Sequence, residues 1–276
     1  LKTSILPILL AAFSFSIASI AVTVPQIGVK FEAATVKPSN TPEGELRRGA
    51  CQGIDSKIQW TVPLGRCVFT RLTLKELLFD AYYAPLLNLF PTDQLIIGGP
   101  RWADQDYFNV EGKSEEPART TQEELLGMLR YLLTERFQLQ IHHENRQLTG
   151  YVLTQGKNGS RLVSTPEGQP CEGMHNEGRS GLRVVIGTCV QATNIARFLS
   201  GQLQAPVEDR TNLNGHYNFR LEWTPTEGAP GATVSEASPG GASIFTAIQE
   251  LGLKLDAEKI PMDVLVIDAA TRPHPD

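Results

Sequence analysis

Apolar positions along the chain recur at two spacings, and the alternation between them lays out the elements. Helical spacing occurs at Leu74, Leu77, Leu78 and Ala81, at Leu125, Met128, Leu129, Leu132 and Leu133, at Ile195, Phe198 and Leu199, and briefly at Phe245 and Ile248. Each set makes one apolar stripe at 3.6 residues per turn. Thr73 with Glu76, and Thr121 with Glu124, have capping-box spacing and mark two helix starts. Every-second-residue spacing runs through DYFNVEG (Asp106–Gly112), GHYNFRL (Gly215–Leu221), Leu139 with Ile141, and Leu251, Leu253 and Leu255. These segments predict strands with one face on a core. Val264–Ile267 is apolar on both faces and predicts a covered, central strand. Pro38–Trp60, Ser114–Thr120, Ser164–Arg179 and Thr224–Gly241 are rich in Pro, Gly and Ser and predict surface loops.

The pattern occurs twice. Phe137–Thr154 lies over Leu251–Asp268 without a gap, pairing Leu139 with Leu253, Ile141 with Leu255, Leu148 with Met262, and Tyr151, Val152 and Leu153 with Leu265, Val266 and Ile267. Upstream of each copy come a cysteine pair, a helix (Leu72–Tyr83, Ala192–Leu203), an aromatic strand and a second helix (Glu123–Arg136, Ser243–Leu251). The order cysteine loop, helix, strand, strand, helix, strand, strand is thus repeated. The expected fold is α+β: two tandem, structurally similar modules, each with about two helices packed on small mixed or antiparallel sheets and each with a local disulfide. The modules are placed at 29–157 and 158–272, which suits a chain of 276 residues.

The N-terminus changes the picture of where this fold works. Lys2 precedes an apolar run from Ile5 to Val22, and no acidic residue appears before Glu32. That reads as a signal peptide over 1–21 cleaved near Ala21, with a retained membrane anchor as the alternative. The expected location is exported, periplasmic or extracellular. Four cysteines fit it: Cys51, Cys67, Cys171 and Cys189 lack the C-x-x-C spacing of zinc and redox sites and read as two cystines. Three connectivities are open, and pairing within each local loop is expected, each bridge contributing about 3 kcal/mol. Twenty-five basic against thirty acidic side chains leave a net charge of -5, which argues against binding nucleic acid.

Several stretches together carry a resemblance. FEAATVKPSN (Phe31–Asn40), QLIIGGPRW (Gln94–Trp102), LLTERFQLQIHHENRQLTGYVL (Leu132–Leu153), PVEDRTNLNGHYNFRLEW (Pro206–Trp223) and the closing Phe245–Pro273 are similar to a soil-associated family of exported bacterial proteins catalogued as a domain of unknown function. The chain departs from that pattern once, lacking a glutamine-like residue between Glu250 and Leu251. The resemblance implies export, paired modules and no established activity. Some relatives joined to membrane metallopeptidase sensors suggest sensing or docking. More distantly, the element order is similar to the short N-terminal periplasmic domain of secretins and TonB-dependent receptors, a topological likeness that transfers no function.

Candidate chemistry is sparse. His142, His143 and Glu144 form the one concentrated polar cluster; on a strand, His142 and Glu144 share a face and His143 takes the other. They are the candidates for an extracytoplasmic hydrolase, the alternative reading, while solvated strand-edge residues are the simpler account. His175, His216 and His274 have no metal spacing to a partner, and no H-E-x-x-H, G-x-S-x-G or S-x-x-K occurs. PGGAS (Pro239–Ser243) reads as a helix N-cap rather than an anion cradle, and Asp209 as turn chemistry. Trp60, Tyr82, Tyr83 and Trp102 either line a groove or cover the core. The sequence therefore points away from an enzyme, to an exported binding, interaction or sensing module of the cell envelope without metal or cofactor. The partner expected is an envelope protein or peptide strand paired along a sheet edge, with a membrane met only through an uncleaved signal or that partner.

Overall fold

The computed structural model describes residues 30–39, 48–56, 61–83, 92–178, 181–224 and 242–274. The expected signal segment 1–21, Trp60 and most of the Thr224–Gly241 loop lie outside these residues.

The fold is α+β, as the pattern predicts. Strands β1 (Ala33–Pro38), β2 (Arg48–Gln52) and β3 (Arg66–Thr73) lead into helix α1 (Leu74–Tyr83). A single turn α2 (Thr92–Leu95), β4 (Ile96–Gly98), a 3-10 turn (Arg101–Asp104) and β5 (Tyr107–Lys113) follow. Helix α3 (Gln122–Phe137) and β6 (Gln140–Gln155) close the N-terminal half. The C-terminal half holds β7 (Val163–Ser164), β8 (Gly173–Asn176), β9 (Arg183–Val190), α4 (Ala192–Leu203), β10 (Val207–Asp209), β11 (Tyr217–Trp223), α5 (Ile244–Glu250) and β12 (Leu253–Ala269). Caps fall where the sequence places them. Thr73 and Glu76 satisfy each other's backbone N–H groups, Thr121 and Glu124 make the full capping box, and the Ser243 hydroxyl accepts from the Thr246 N–H.

Among the described residues three four-stranded sheets result. The outer sheets are ordered β1-β5-β3-β2 and β7-β11-β9-β8, the same order in each half, and the central sheet is β10-β6-β12-β4. Both cystines form within their local pairs, Cys51 with Cys67 and Cys171 with Cys189. Cys51 and Cys67 are directly opposite in the β2–β3 ladder.

The halves are joined more closely than tandem beads. β6 and β12 pair antiparallel from Leu253–Gln155 to Ala269–Gln140, making a long two-stranded ribbon. Each half's short strand then adds, in parallel, to the last strand of the other half: β10 beside β6 and β4 beside β12. The superposition of Phe137–Thr154 on Leu251–Asp268 carries Tyr151, Val152 and Leu153, which pair with β10, onto Leu265, Val266 and Ile267, which pair with β4. Both ribbon strands enter both cores. The first core, around Phe69, Leu77, Leu129 and Phe137, is completed by Val264, Leu265 and Ile267 of β12. The second, around Ile195, Leu199, Leu221 and Ile248, takes Leu153 of β6. Val264–Ile267 is central and covered, as its two-sided apolar pattern predicts.

Three expectations are corrected. The segment after each second helix, expected as two strands, is one unbroken strand of 16 residues in β6 and 17 in β12. Pro261 does not interrupt β12, because it stands at a position whose backbone faces away from β6. β2 and β8 form inside stretches expected to be loops; each is a short arm of a hairpin whose partner, β3 or β9, carries the apolar signal. Leu72 and Thr73 belong to β3, so α1 begins at Leu74.

The two halves also share a local device. Arg71 and Cys189 both take left-handed backbone angles (φ 58 and 59) at the bulges of β3 and β9. In each case the backbone N–H donates to an asparagine side chain on the neighbouring strand, Asn109 and Asn218 respectively, at 2.9 Å. An irregular backbone would otherwise leave that donor without a partner.

Candidate functional site in the central ribbon

β6 places the three candidate residues on successive positions of the ribbon, so the pleat separates them. His142 stands on one face, with Nδ1 at 2.8 Å from the Asp268 carboxylate; His143 stands on the other, with Nδ1 at 2.8 Å from Asp263. Each aspartate is a diagonal cross-strand neighbour on the same face as its histidine. Glu144 accepts two bonds from the Arg146 guanidinium at 3.0 and 3.1 Å. All of these side chains are about half exposed. The structure thus does not bring His142, His143 and Glu144 together. Two separate His–Asp pairs and one ion pair are spread over both faces of a strand, and among the described residues no serine, threonine or cysteine bonds to either imidazole.

Around this ribbon the aromatic candidates cover core rather than line a cleft. Tyr83 is buried, and its hydroxyl donates to the Asp263 carbonyl at 3.0 Å; burial and the nearby carboxylate push its pKa up to about 12. Tyr82 lies between the Arg130 guanidinium, 5.2 Å from its ring centre, and His143, 5.8 Å away. Burial raises its pKa as well. Trp102 stacks on Phe137 at 6.1 Å and meets the edge of Phe108.

Two arrangements escaped sequence reasoning. Asp80, on α1, has its pKa raised to about 7, chiefly by burial and then by the charge of Glu76 one turn away. Nothing in the helical pattern marks it, because the protein that crowds it comes from other elements. Arg210, just beyond β10, bonds Glu208 at 2.7 Å and Glu258 of β12 at 3.0 Å. These bonds hold the guanidinium charged and draw the Glu208 carboxyl below its usual range. Asp209 does the turn work expected of it, accepting from the Thr211 N–H and hydroxyl.

The water-facing side of the first outer sheet has a shallow depression of about 560 Å³, lined by Thr35, Lys37, Val68, Thr70, Asn109 and Glu111. Its one asparagine already holds the Arg71 N–H, and its Glu111 is already paired with Arg66. Among the described residues no three His, Cys, Asp or Glu side chains converge to hold a metal ion, and no helix is long and apolar enough to cross a membrane.

Comparison with known proteins bears on the identity of this arrangement. A family model described as a protein of unknown function, DUF3738, matches residues 76–270, most of the chain. The chain belongs to that family. Its matched region runs from α1 to the end of β12 and so takes in the whole central sheet and both helical layers. No curated protein and no solved structure matches the chain. What is shown for this DUF3738 member is therefore its family, its α+β fold and its two cystines.

Proposed function

We propose that this DUF3738 member is exported and works in the periplasm or outside the cell as a non-catalytic interaction or sensing module of the envelope. One observation carries the reading. Two cystines clasp the outer sheets, while the titratable groups of the candidate cluster are scattered over both faces of the ribbon. Cystines persist in oxidising compartments. Strands at the margin of a sheet are where an extended partner segment can pair with backbone groups. The His–Asp pairs stand on opposite faces of the ribbon and, among the described residues, meet no nucleophile and no metal triad, which supports the non-catalytic reading.

A repeated ancestral unit, with copies at 29–157 and 158–272, belongs to the same proposal. What supports it is the shared strand order of the outer sheets, the matching registers in the central sheet and the twin asparagine clasps at Arg71 and Cys189.

The test has two arms. Fractionation with thiol trapping should find the chain outside the cytoplasm with all four cysteines oxidised; a cytoplasmic, reduced chain overturns the export reading. A panel of ester, peptide and glycoside substrates, with and without added zinc, should show no turnover. Turnover that His142→Ala or Glu144→Ala abolishes would establish the hydrolase instead.

A further inference from the structure

Between the two cores the ribbon presents two strand edges to water, and they are built differently. On β6 the Tyr151 N–H donates to the Pro206 carbonyl, and the Arg210 N–H donates to the Leu153 carbonyl. Odd-numbered residues of β6 therefore turn their backbone groups away from β12. That alternation points the N–H and C=O groups of His143, Asn145 and Gln147 outward, where among the described residues no backbone group meets them. On β12 the same alternation turns Pro261 and Asp263 outward. Proline has no N–H to offer, and the Asp263 carbonyl already accepts from Tyr83. At Pro261 and Asp263 the β12 edge is blocked by devices that protect natural sheets from added strands, which leaves only the stretch around Ala257 and Lys259 unblocked. The β6 edge is not blocked: Gln147, directly opposite Pro261 in the ladder, keeps its donor.

Charge selects the occupant. Set two copies of β6 antiparallel along their open edges with Asn145 facing Asn145. His143 and Gln147 then exchange backbone bonds, and the even-numbered residues become the closest opposed pairs. Glu144 faces Arg146 of the second copy, and Arg146 faces its Glu144. Each copy already pairs these two along its own strand at 3.0 Å, so the four groups form a square of alternating sign. A two-residue slip one way sets Arg146 against Arg146 and Glu144 against Leu148; a slip the other way sets Glu144 against Glu144 and Arg146 against His142, so either slip opposes like charges. From His142 to Thr149 every side chain is exposed or partly so, leaving the edge open to a partner.

We propose that the open edge of β6 joins a second copy of this chain, antiparallel and with Asn145 on the two-fold axis, so that the two central sheets run together. This goes beyond the interaction reading above and does not depend on it. Light scattering and sedimentation of the purified full chain should give a dimer. Arg146→Glu alone and Glu144→Arg alone each place like charges opposite one another twice and should weaken the dimer about tenfold or more. Mixing the two variants should restore it, since two positive side chains on one copy then meet two negative ones on the other. Gln147→Pro should weaken it comparably while leaving the far-ultraviolet spectrum intact, because β12 already accommodates Pro261 at the equivalent outward position. A monomer at every concentration overturns the proposal. So does a dimer that ignores both charge variants and Gln147→Pro, or a mixture that fails to recover although each variant is folded.

Discussion

The two halves of the molecule share their wiring but not their filling. Both order their outer strands alike, bulge at the same place and clasp that bulge with an asparagine. Yet the first core is backed by the 16-residue α3 and an aromatic group of Trp102, Phe108 and Phe137, with Phe108 and Phe137 edge-on at 5.0 Å. The second has the seven-residue α5 in the corresponding place, with Phe198 edge-on to Trp223 and the half-exposed Phe245 against Tyr151. Backbone devices thus keep a topology constant while the bulk packed into it varies. Because the ribbon enters both cores, the thicker one supports the thinner.

Four experiments sharpen that contrast. Phe137→Ala empties the centre of the first core and should cost about 4 kcal/mol in urea unfolding. Trp223, in the second half, should lose its native fluorescence in the same transition as Trp102, each read in a chain freed of other tryptophans. Two separate transitions would mean that the ribbon does not couple the cores. Next, replacing either cysteine pair by serine should cost about 3 kcal/mol, nearly equally, since the sequence separations are 16 and 18. A markedly larger loss in one half would show that the bridge does more there than restrict the unfolded chain.

Third, the Asp80 carboxyl titrates near 7 in the folded chain and near the ordinary 3.8 when unfolded. The folded state then holds the proton more tightly, so stability falls as pH rises from about 4 to above 7. Asp80→Asn should remove that loss, gaining on the order of 2 kcal/mol at pH 8 and almost nothing at pH 4; part of the carboxyl still reaches water, which limits the gain. Equal gains at both pH values would exclude burial of the charge as the cause. Smallest of all, Asn109→Ala should cost about 1 kcal/mol by leaving the Arg71 N–H without an acceptor, and Asn218→Ala somewhat more, because Asn218 also accepts from the Thr165 hydroxyl and donates to the Gln169 side chain. A smaller loss for Asn218→Ala than for Asn109→Ala in calorimetry would break the comparison of the two clasps.

Much of the architecture was legible in the residues. The stripes at Leu74–Ala81 and Leu125–Leu133 are helices, the alternating aromatic segments are the central strands of the outer sheets, and the two cysteine pairs close locally. Legibility failed where a partner from far along the chain supplies the missing interaction. β2 and β8 carry no apolar alternation of their own and exist because β3 and β9 pair with them. Pro261 reads as a breaker in isolation and is tolerated because its ladder partner needs nothing from it. At the candidate site, the separation of His142 from His143 follows from the pleat alone. Their aspartates could not be found, because Asp263 and Asp268 arrive from the far end of the chain in a register that local spacing does not encode.

That β12 completes the first core has a consequence for how the protein is born. Val264, Leu265 and Ile267 are made after every other element of the first core, so the N-terminal half must wait, its apolar seam unfilled, until β12 has emerged. Closure of the first core is therefore late, and a nascent chain cut short before residue 264 would be stranded with that core open.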